Sequence, residues 1–513
     1  TFPLHPGLTG KIRSCLPIEA RLAWCVVAQS EVLMLRYGLL VLAAIAALAA
    51  WAVLVFAAAF SGWGRTAIAP VGDAEAFVQA VVDEVEGVHP GNFAFALVED
   101  GQLVGEYYTS PGEPIDRHTS FQTASLSKWV SAVGIMALVE DGRIDLDAPV
   151  STYLQSWQLP QSGFDNEQVT VRLLLSHTAG LTDGLGYGGF APGATVQSLP
   201  DALSQASDAS PGADGRVRVG MTPGEQFEYS GGGYSLLQLI VEDVTGESFE
   251  TYMQGTVFQP LAMHDSSYLD PEDGGVNRAE IYDPAGEPAV RYRFSGLAPT
   301  ALNASTADMV AFVLFHLSSN SGNEASSTPV LQPDTIELMR QPHAFQMGAE
   351  IWGLGTVLYA PDGVGDFIAG HDGSNEPAIN SAVRYNPATR DAIVILETGD
   401  AMLATRLAGE WVFWQTLDIF DADVREAVDE LDREIGKAGD EFPFAAMIGK
   451  AGHRLDLEIG ETLDNLDTDI GKALDHLYFA MKRDAVPGAV VGNRAKREKD
   501  EFSKHGGSLP HSI

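Results

Sequence analysis

Cysteine is nearly absent from this chain of 513 residues: only Cys15 and Cys25 occur, both close to the N-terminus. This excludes a disulfide framework or a cysteine-based zinc site in the rest of the chain. The sequence also lacks a CxxC pair, an HExxH zinc motif, a Walker A loop and a GxSxG nucleophile elbow. These absences remove several common enzyme classes. Because no motif requires one, we expect neither a metal nor an organic cofactor.

Positive charge is also scarce. The chain has 31 Lys and Arg against 69 Asp and Glu, a formal net charge of −38. This balance argues against a nucleic-acid partner, which needs a basic face, and disfavours electrostatic docking on anionic lipid. Lys128 is the only lysine between Lys11 and Lys437. A hydrophobic content of 45% nevertheless provides enough material for a globular core.

The chain has one long apolar run, residues 38–60, which contains no charged side chain. It is long enough to cross a hydrocarbon core of roughly 30 Å at about 1.5 Å per residue, so we predict an uncleaved signal anchor. Lys11, Arg13, Arg21 and Arg36 precede it, which places the N-terminus in the cytoplasm and the main domain in the periplasm or outside the cell. Small residues at the end of the run leave cleavage and a secreted domain as the alternative.

Composition changes divide the chain into four segments. The predicted segments are an N-terminal leader (1–37), a transmembrane anchor or signal segment (38–60), a hydrolase domain (73–420) and an acidic amphipathic helical extension with a disordered end (421–513). Since Met34 lies just before the apolar run, we expect it to be the start of translation and residues 1–33 not to be native.

The extension has its own period. Ile448, Ile459 and Ile470 recur every 11 residues, and three helical turns of that length place them on one face. Such a face packs on the parent domain, forms an oligomer or lies on a membrane surface. These three uses stay open.

The segment 73–420 has a mixed α/β pattern with strands at both ends and helices between them. This arrangement predicts one sheet closed by the early and late segments, plus a helical lobe. Residues 184–220, rich in Gly, Ala, Ser and Pro, are expected to form a loop beside the site or a mobile insertion. The predicted strands are 92–98, 102–108, 367–370, 378–385 and 392–396, and the clearest predicted helices are 125–140 and 234–245.

The strongest motif is Ser125-Leu126-Ser127-Lys128, an SxxK that opens a predicted helix. Residues three apart on a helix share a face, so the lysine amine can reach the serine hydroxyl. A serine alone is a weak nucleophile, and a lysine that burial has made neutral can act as its base. Because the domain otherwise avoids lysine, a surface role for Lys128 is the weaker interpretation. We interpret Ser125 as an acylated nucleophile.

A second motif, Tyr229-Ser230-Gly231, comes just before the predicted helix 234–245. A tyrosine hydroxyl close to a lysine ammonium is driven toward phenolate and can then exchange protons with Ser125 and the leaving group. Taken alone, the motif is better explained by a core tyrosine whose hydroxyl is hydrogen-bonded.

A third motif, His371-Asp372-Gly373-Ser374, follows the predicted strand 367–370. Gly373 would let the backbone approach a substrate, and the N–H groups of Ser374 and Ser125 could form an oxyanion hole, in which one donor can contribute roughly 3 kcal/mol. A plain turn is the alternative interpretation.

In their order and wide spacing, the three motifs resemble the serine β-lactamase and penicillin-binding-protein superfamily. This group includes class C β-lactamases, D-Ala-D-Ala carboxypeptidases, D-aminopeptidases and family VIII carboxylesterases. The resemblance covers about residues 75–420. It implies an α+β, β-lactamase/transpeptidase-like fold, with an antiparallel sheet flanked by helices plus a helical lobe. It implies Ser125 as the nucleophile, Lys128 and Tyr229 as the proton-transfer pair, and residues 371–374 as the oxyanion strand. Other similar stretches are 137–150, 173–183, 233–237 and 260–263.

Two departures from the class C pattern bear on the substrate. Gly231 stands where those enzymes carry the asparagine of Tyr-x-Asn, which removes a side-chain amide. His371-Asp372-Gly373 stands where they carry Lys-Thr-Gly, which removes a fixed cation for the β-lactam carboxylate. Both changes favour the esterase and peptidase branches of the superfamily.

We therefore expect a small ester or peptide-like substrate and predict a carboxylesterase. A D-amino-acid peptidase or amidase, a weak β-lactamase and a penicillin-binding sensor are the alternatives. His177 and Asp183 are interpreted as structural, with a Ser-His-Asp triad as the weaker hypothesis.

Overall fold

An eight-stranded antiparallel sheet forms the centre of the fold in a computed structural model, which describes residues 66–184, 186–270, 277–318 and 330–417. The order across the sheet is β2-β1-β10-β9-β8-β7-β6-β5, and β3 pairs with β4 separately. The strands are β1 (Phe93–Glu99), β2 (Gln102–Thr109), β3 (Ser120–Gln122), β4 (Asn303–Ser305), β5 (Ala344–Gln346), β6 (Ala349–Trp352), β7 (Val357–Pro361), β8 (Phe367–Asn375), β9 (Ile379–Asn386) and β10 (Asp391–Thr398).

Helices cover both faces of this sheet in the described part of the chain. They are α1 (Ala74–Val85), α2 (Ser127–Glu140), α3 (Val171–Leu175), α4 (Leu199–Ser204), α5 (Gly231–Thr245), α6 (Phe249–Met253), α7 (Thr306–Ser318), α8 (Pro333–Arg340) and α9 (403–417).

Alternation along β1 shows how the sheet separates two hydrophobic layers. Ala94 and Ala96 face a large core shared with α2, α5 and α7. Phe93 and Phe95 face a second core that contains side chains of α1 and α9. Successive side chains of a strand point to opposite faces, so a strand between two helical layers is apolar throughout, and every residue of β1 except Glu99 is buried.

The sequence-based elements agree with the structure apart from their ends. The helix expected from Ser125 starts as a 3₁₀ turn over Ala124–Leu126 and becomes α2 at Ser127. The strand expected over 367–370 continues to Asn375, because residues 371–375 pair with β9. The third motif is therefore part of a strand and not a turn.

The membrane span predicted at 38–60 and the helical extension predicted at 421–513 lie outside the described residues. Within the described ranges, none of the helices combines the length and apolar character that crossing a bilayer requires.

Candidate active site

Ser125 lies in the tight turn that leads into α2. Ala124 has a positive φ of 49°, and the Ser127 hydroxyl donates to the Ala124 carbonyl at 2.5 Å. The same hydroxyl oxygen accepts from the Leu302 N–H at 2.9 Å, so the turn is fixed to the segment before β4. Ser125 itself is half-buried, as a residue open to a substrate must be.

Lys128 is the buried base candidate, one turn after Ser125. Its Nζ lies 3.1 Å from Ser125 Oγ and donates to the Pro299 carbonyl at 2.8 Å. Burial lowers the pKa of Lys128 to about 7, while the charge of Asp183 opposes this shift. A large neutral fraction near neutral pH follows, and a neutral amine can accept the Ser125 proton.

Tyr229 completes the group around the serine. Its hydroxyl is hydrogen-bonded to the Ser125 side chain, and Lys128 Nζ lies 4.8 Å from the centre of its ring. Burial raises the pKa of Tyr229, and the bond to Ser125 offsets this only in part. This direction runs against the phenolate expected from sequence, because desolvation disfavours the charged form. A neutral hydroxyl that relays a proton fits the geometry better.

His177 and Asp183 hold the start of α5, the helix that follows Tyr229. The Ser230 hydroxyl donates to Asp183, and the Gly232 N–H donates to the same carboxylate at 2.8 Å. The Ser230 N–H donates to His177 Nδ1 at 3.1 Å, and the His177 ring packs 4.4 Å from that of Tyr229. These contacts fit the structural role predicted for both residues and give His177 no bond to the serine, as a triad would need.

The third motif occupies the part of β8 beyond its pairing with β7. That pairing ends at Gly370, whereas the pairing with β9 continues to Asn375. His371 Nδ1 donates to the Asp372 carbonyl at 2.5 Å, and burial lowers the pKa of His371 to about 3. The imidazole is therefore neutral. Asp372 is held by Arg384 at 2.6 Å.

Gly373 is a point of close contact between β8 and the Ser125 turn. A Cβ at this position would lie 2.1 Å from the Thr123 carbonyl oxygen and 2.9 Å from the Ser125 nitrogen. The glycine therefore lets the strand backbone reach Ser125. It brings the Ser125 N–H close to β8, next to Ser374, which is exposed. This is the arrangement that an oxyanion hole requires.

The beta-lactamase family model matches residues 77–411. The chain belongs to the beta-lactamase family. Penicillin-binding protein 4 of Amycolatopsis lactamdurans is 30% identical over 329 residues, 61% of this chain and 81% of that protein. The octameric penicillin-binding protein homologue from Pyrococcus abyssi superposes with a TM-score of 0.53 at 24% identity over 67% of this chain and 76% of that one. The structure of SurE with D-Leu superposes with a TM-score of 0.51 at 26% identity, over 67% of this chain and 74% of that one.

Family membership makes this chain a serine hydrolase of the β-lactamase and penicillin-binding-protein superfamily. The fold expected from the resemblance is confirmed over the described domain. Two departures from the class C pattern of the family are visible in the structure. A Cβ on Gly231 would lie 2.8 Å from the Tyr187 ring, so that ring occupies the space beside it. The neutral His371 supplies no cation.

Three groups that contact the site could not be identified from a sequence motif. The Pro299 carbonyl, 171 positions from Lys128, is a backbone group and has no motif. The Ser381 hydroxyl donates to the Thr123 carbonyl at 2.7 Å, and Asn380 donates to the Gly373 carbonyl at 2.9 Å. Both belong to β9, whose register against β8 could have placed them, had that register been known. Among the described residues, no group of three or more His, Cys, Asp or Glu could hold a metal ion.

Proposed function

We propose that this chain is a carboxylesterase that hydrolyses esters through an acyl-enzyme on Ser125. Neutral Lys128 takes the proton of the Ser125 hydroxyl, and the alkoxide adds to the ester carbonyl carbon. The N–H groups of Ser125 and Ser374 stabilise the oxyanion. The proton then passes through the Tyr229 hydroxyl to the leaving alkoxide, which departs as an alcohol.

Deacylation uses Lys128 a second time, with a water molecule in place of the Ser125 hydroxyl as the attacking group. A water molecule gives its proton to neutral Lys128 as its oxygen adds to the acyl carbonyl carbon. The second tetrahedral intermediate collapses, Ser125 Oγ takes a proton back from Lys128, and the carboxylic acid leaves. The Pro299 carbonyl keeps Lys128 Nζ in place throughout, because it is a fixed acceptor 2.8 Å away.

The observation that carries the ester assignment is the loss of both groups that would hold a β-lactam. Gly231 has no side-chain amide for the amide of the substrate, and Tyr187 fills the adjacent space. His371 is neutral, and Arg384 is paired with Asp372. Among the described residues, Lys128 is the one lysine, and it is buried at the base of the site. An ester needs neither of these contacts and has a better leaving group than an amide.

The test is turnover of p-nitrophenyl esters by the full chain. We expect rapid hydrolysis, with loss of activity in Ser125→Ala, because the alanine has no nucleophile. Ser156→Ala is the matched control, since it removes the hydroxyl of an exposed serine that belongs to none of the three motifs. It should retain activity within about threefold. Absence of Ser125-dependent ester turnover would refute the proposal.

A second candidate is a hydrolase of D-amino-acid amides or peptides. It is favoured by the similarity to SurE, whose structure holds D-Leu. Faster cleavage of D-Ala peptides than of any ester would establish it. A chromogenic cephalosporin completes the panel: slow turnover indicates a weak β-lactamase, and a long-lived acyl adduct seen by mass spectrometry indicates a penicillin-binding sensor. Membrane anchoring through 38–60, a periplasmic or extracellular site and assembly through 421–513 stay predictions.

A further inference from the structure

We infer that Asn380 is a positioning residue for the oxyanion hole, acting through the peptide unit that joins Gly373 to Ser374. The inference rests on the proposed acyl-transfer function and adds a residue that lies outside the three sequence motifs. Asn380 is in β9, opposite Ser374 in the ladder, and only 1% of its surface is exposed.

The hydrogen bonds of Asn380 fix its side-chain amide completely. Nδ2 donates to the Gly373 carbonyl at 2.9 Å and to the Thr405 hydroxyl at 3.1 Å. Oδ1 accepts from the Thr405 N–H at 3.0 Å. Because Thr405 belongs to α9, the amide is braced against a helix on the face of the sheet away from the Ser125 turn. Its orientation, with Nδ2 toward Gly373, is set by the acceptor role of Oδ1.

The planar trans peptide between Gly373 and Ser374 links the Asn380 hydrogen bond to the direction of the Ser374 N–H. The Gly373 carbonyl and the Ser374 N–H belong to one planar unit and point in opposite directions. A carbonyl held toward Asn380 therefore turns the Ser374 N–H away from β9. On that side β8 has no partner strand beyond Gly370 among the described residues. The Ser125 nitrogen lies beside Gly373, on the sheet face that a Cβ of residue 373 would enter.

The hydrogen bond from Asn380 to the Gly373 carbonyl also polarises the Ser374 N–H. A hydrogen bond to a peptide oxygen strengthens the N–H at the other end of the unit, since bonded peptides polarise one another. Asn380 thus does two things for an oxyanion: it aims the Ser374 N–H and makes it a better donor. Both matter more for a developing negative charge than for the neutral carbonyl of the bound ester.

A matched pair of variants separates this role from a purely structural one. Asn386, at the other end of β9, is equally buried. Its Nδ2 donates to Gln415 Oε1 at 2.8 Å, and its Oδ1 accepts from the Ala388 N–H at 3.0 Å. Asn380→Asp and Asn386→Asp therefore each replace a donor amide by a carboxylate in the same strand, but only the first touches β8. Asn380→Ala removes the donor without adding a charge, in case the buried carboxylate prevents folding.

We expect both Asn380 variants to lower kcat for p-nitrophenyl esters by about tenfold, less than the 10²–10³-fold cost of removing an oxyanion donor outright. KM should change less than twofold. Phenylboronic acid forms a tetrahedral adduct with an active-site serine, and its Kd should weaken about tenfold as well. Asn386→Asp should leave kcat, KM and the boronate Kd within about twofold of the wild type, at a similar loss of Tm.

Unchanged boronate affinity in folded Asn380 variants would overturn the inference, as would an equal loss in Asn386→Asp. Boronate binding is measured by calorimetry and needs no turnover. If the wild type hydrolyses no ester, the ester proposal fails, while the boronate Kd of the Asn380 variants still decides the role of this residue.

Discussion

A single lysine determines how the candidate site responds to pH. Lys128 is enclosed by protein, and its pKa falls to about 7 because burial disfavours its charged form. Its closest contacts are Ser125 Oγ and a backbone carbonyl, neither of which carries a charge, and the charge of Asp183 offsets the effect of burial only in part. Tyr229 is also neutral, since burial raises its pKa. Near neutral pH the resting site therefore contains an amine, a phenol and an alcohol in contact.

This leads to a predicted pH profile. Below the pKa of Lys128 the base is protonated, so kcat/KM for esters should rise about tenfold per pH unit up to pH 7 and level off above pH 8. Lys128→Arg should be inactive at every pH, because a guanidinium does not deprotonate. Initial rates from pH 5.5 to 9 measure this. A flat profile would show that Lys128 is not the base.

At the scale of elements, the site is made by β8 approaching the turn before α2. The bare backbone of Gly373 lets the two meet, and the pairing with β9 holds the strand straight through the third motif. The start of α5 brings Tyr229 to the same point, fixed by Asp183 and His177. Because the functional groups come from three different elements, small relative shifts of these elements matter more than the loss of any one packing contact.

Gly373→Ala tests this approach. The new Cβ would meet the Thr123 carbonyl and the Ser125 nitrogen at 2.1 and 2.9 Å, and because both are backbone atoms, the strand or the turn must move. A displacement of about 1 Å can cost 10²-fold in rate, and we expect kcat to fall by about that factor. Gly163→Ala is the control, since no atom lies within 4 Å of its Cβ position. Wild-type kcat in Gly373→Ala would contradict the prediction.

The sequence predicted more of the elements than of the contacts between them. Strands such as β1 and β10 are continuous apolar runs, and α2 starts at a motif, so local pattern was enough. The end of β8 was missed, because His371 to Asn375 has the composition of a turn and only pairing with β9 makes it a strand. Ser125 and Lys128 share one helical turn and could be joined from spacing alone. Pro299 and Asn380 could not be assigned to the site from the sequence, because their position beside it depends on tertiary packing.

For the whole molecule, one buried acid links stability to pH. Glu397 in β10 is 1% exposed, and burial raises its pKa to about 9 from 4.5, despite a bond from the Ala404 N–H at 2.7 Å. The folded state thus prefers a protonated carboxyl. Its contribution to stability is complete below pH 4.5 and is lost as the pH rises toward 9.

Glu397→Gln should remove this pH dependence while keeping an acceptor for Ala404. At pH 8 the Tm of the variant should exceed that of the wild type by about 2 °C or more, and at pH 4.5 the two should agree closely. Glu376→Gln, at an exposed carboxylate, should shift Tm little at either pH. Thermal unfolding followed by circular dichroism measures these values. A Glu397→Gln variant that is destabilised equally at both pH values would count against a protonated Glu397.

The single lysine of this domain also determines how the domain reacts with amine-directed reagents. Between Lys11 and Lys437 the one primary amine on a side chain is Lys128, and it is 2% exposed. Amine-directed reagents, such as succinimidyl esters, reducing sugars or aldehydes, therefore find no target on the outside of the folded hydrolase domain. Acylation within that span would require entry into the catalytic pocket or unfolding. Mass-spectrometric labelling at Lys128 would thus report either on entry of the reagent beside Ser125 or on unfolding of this domain.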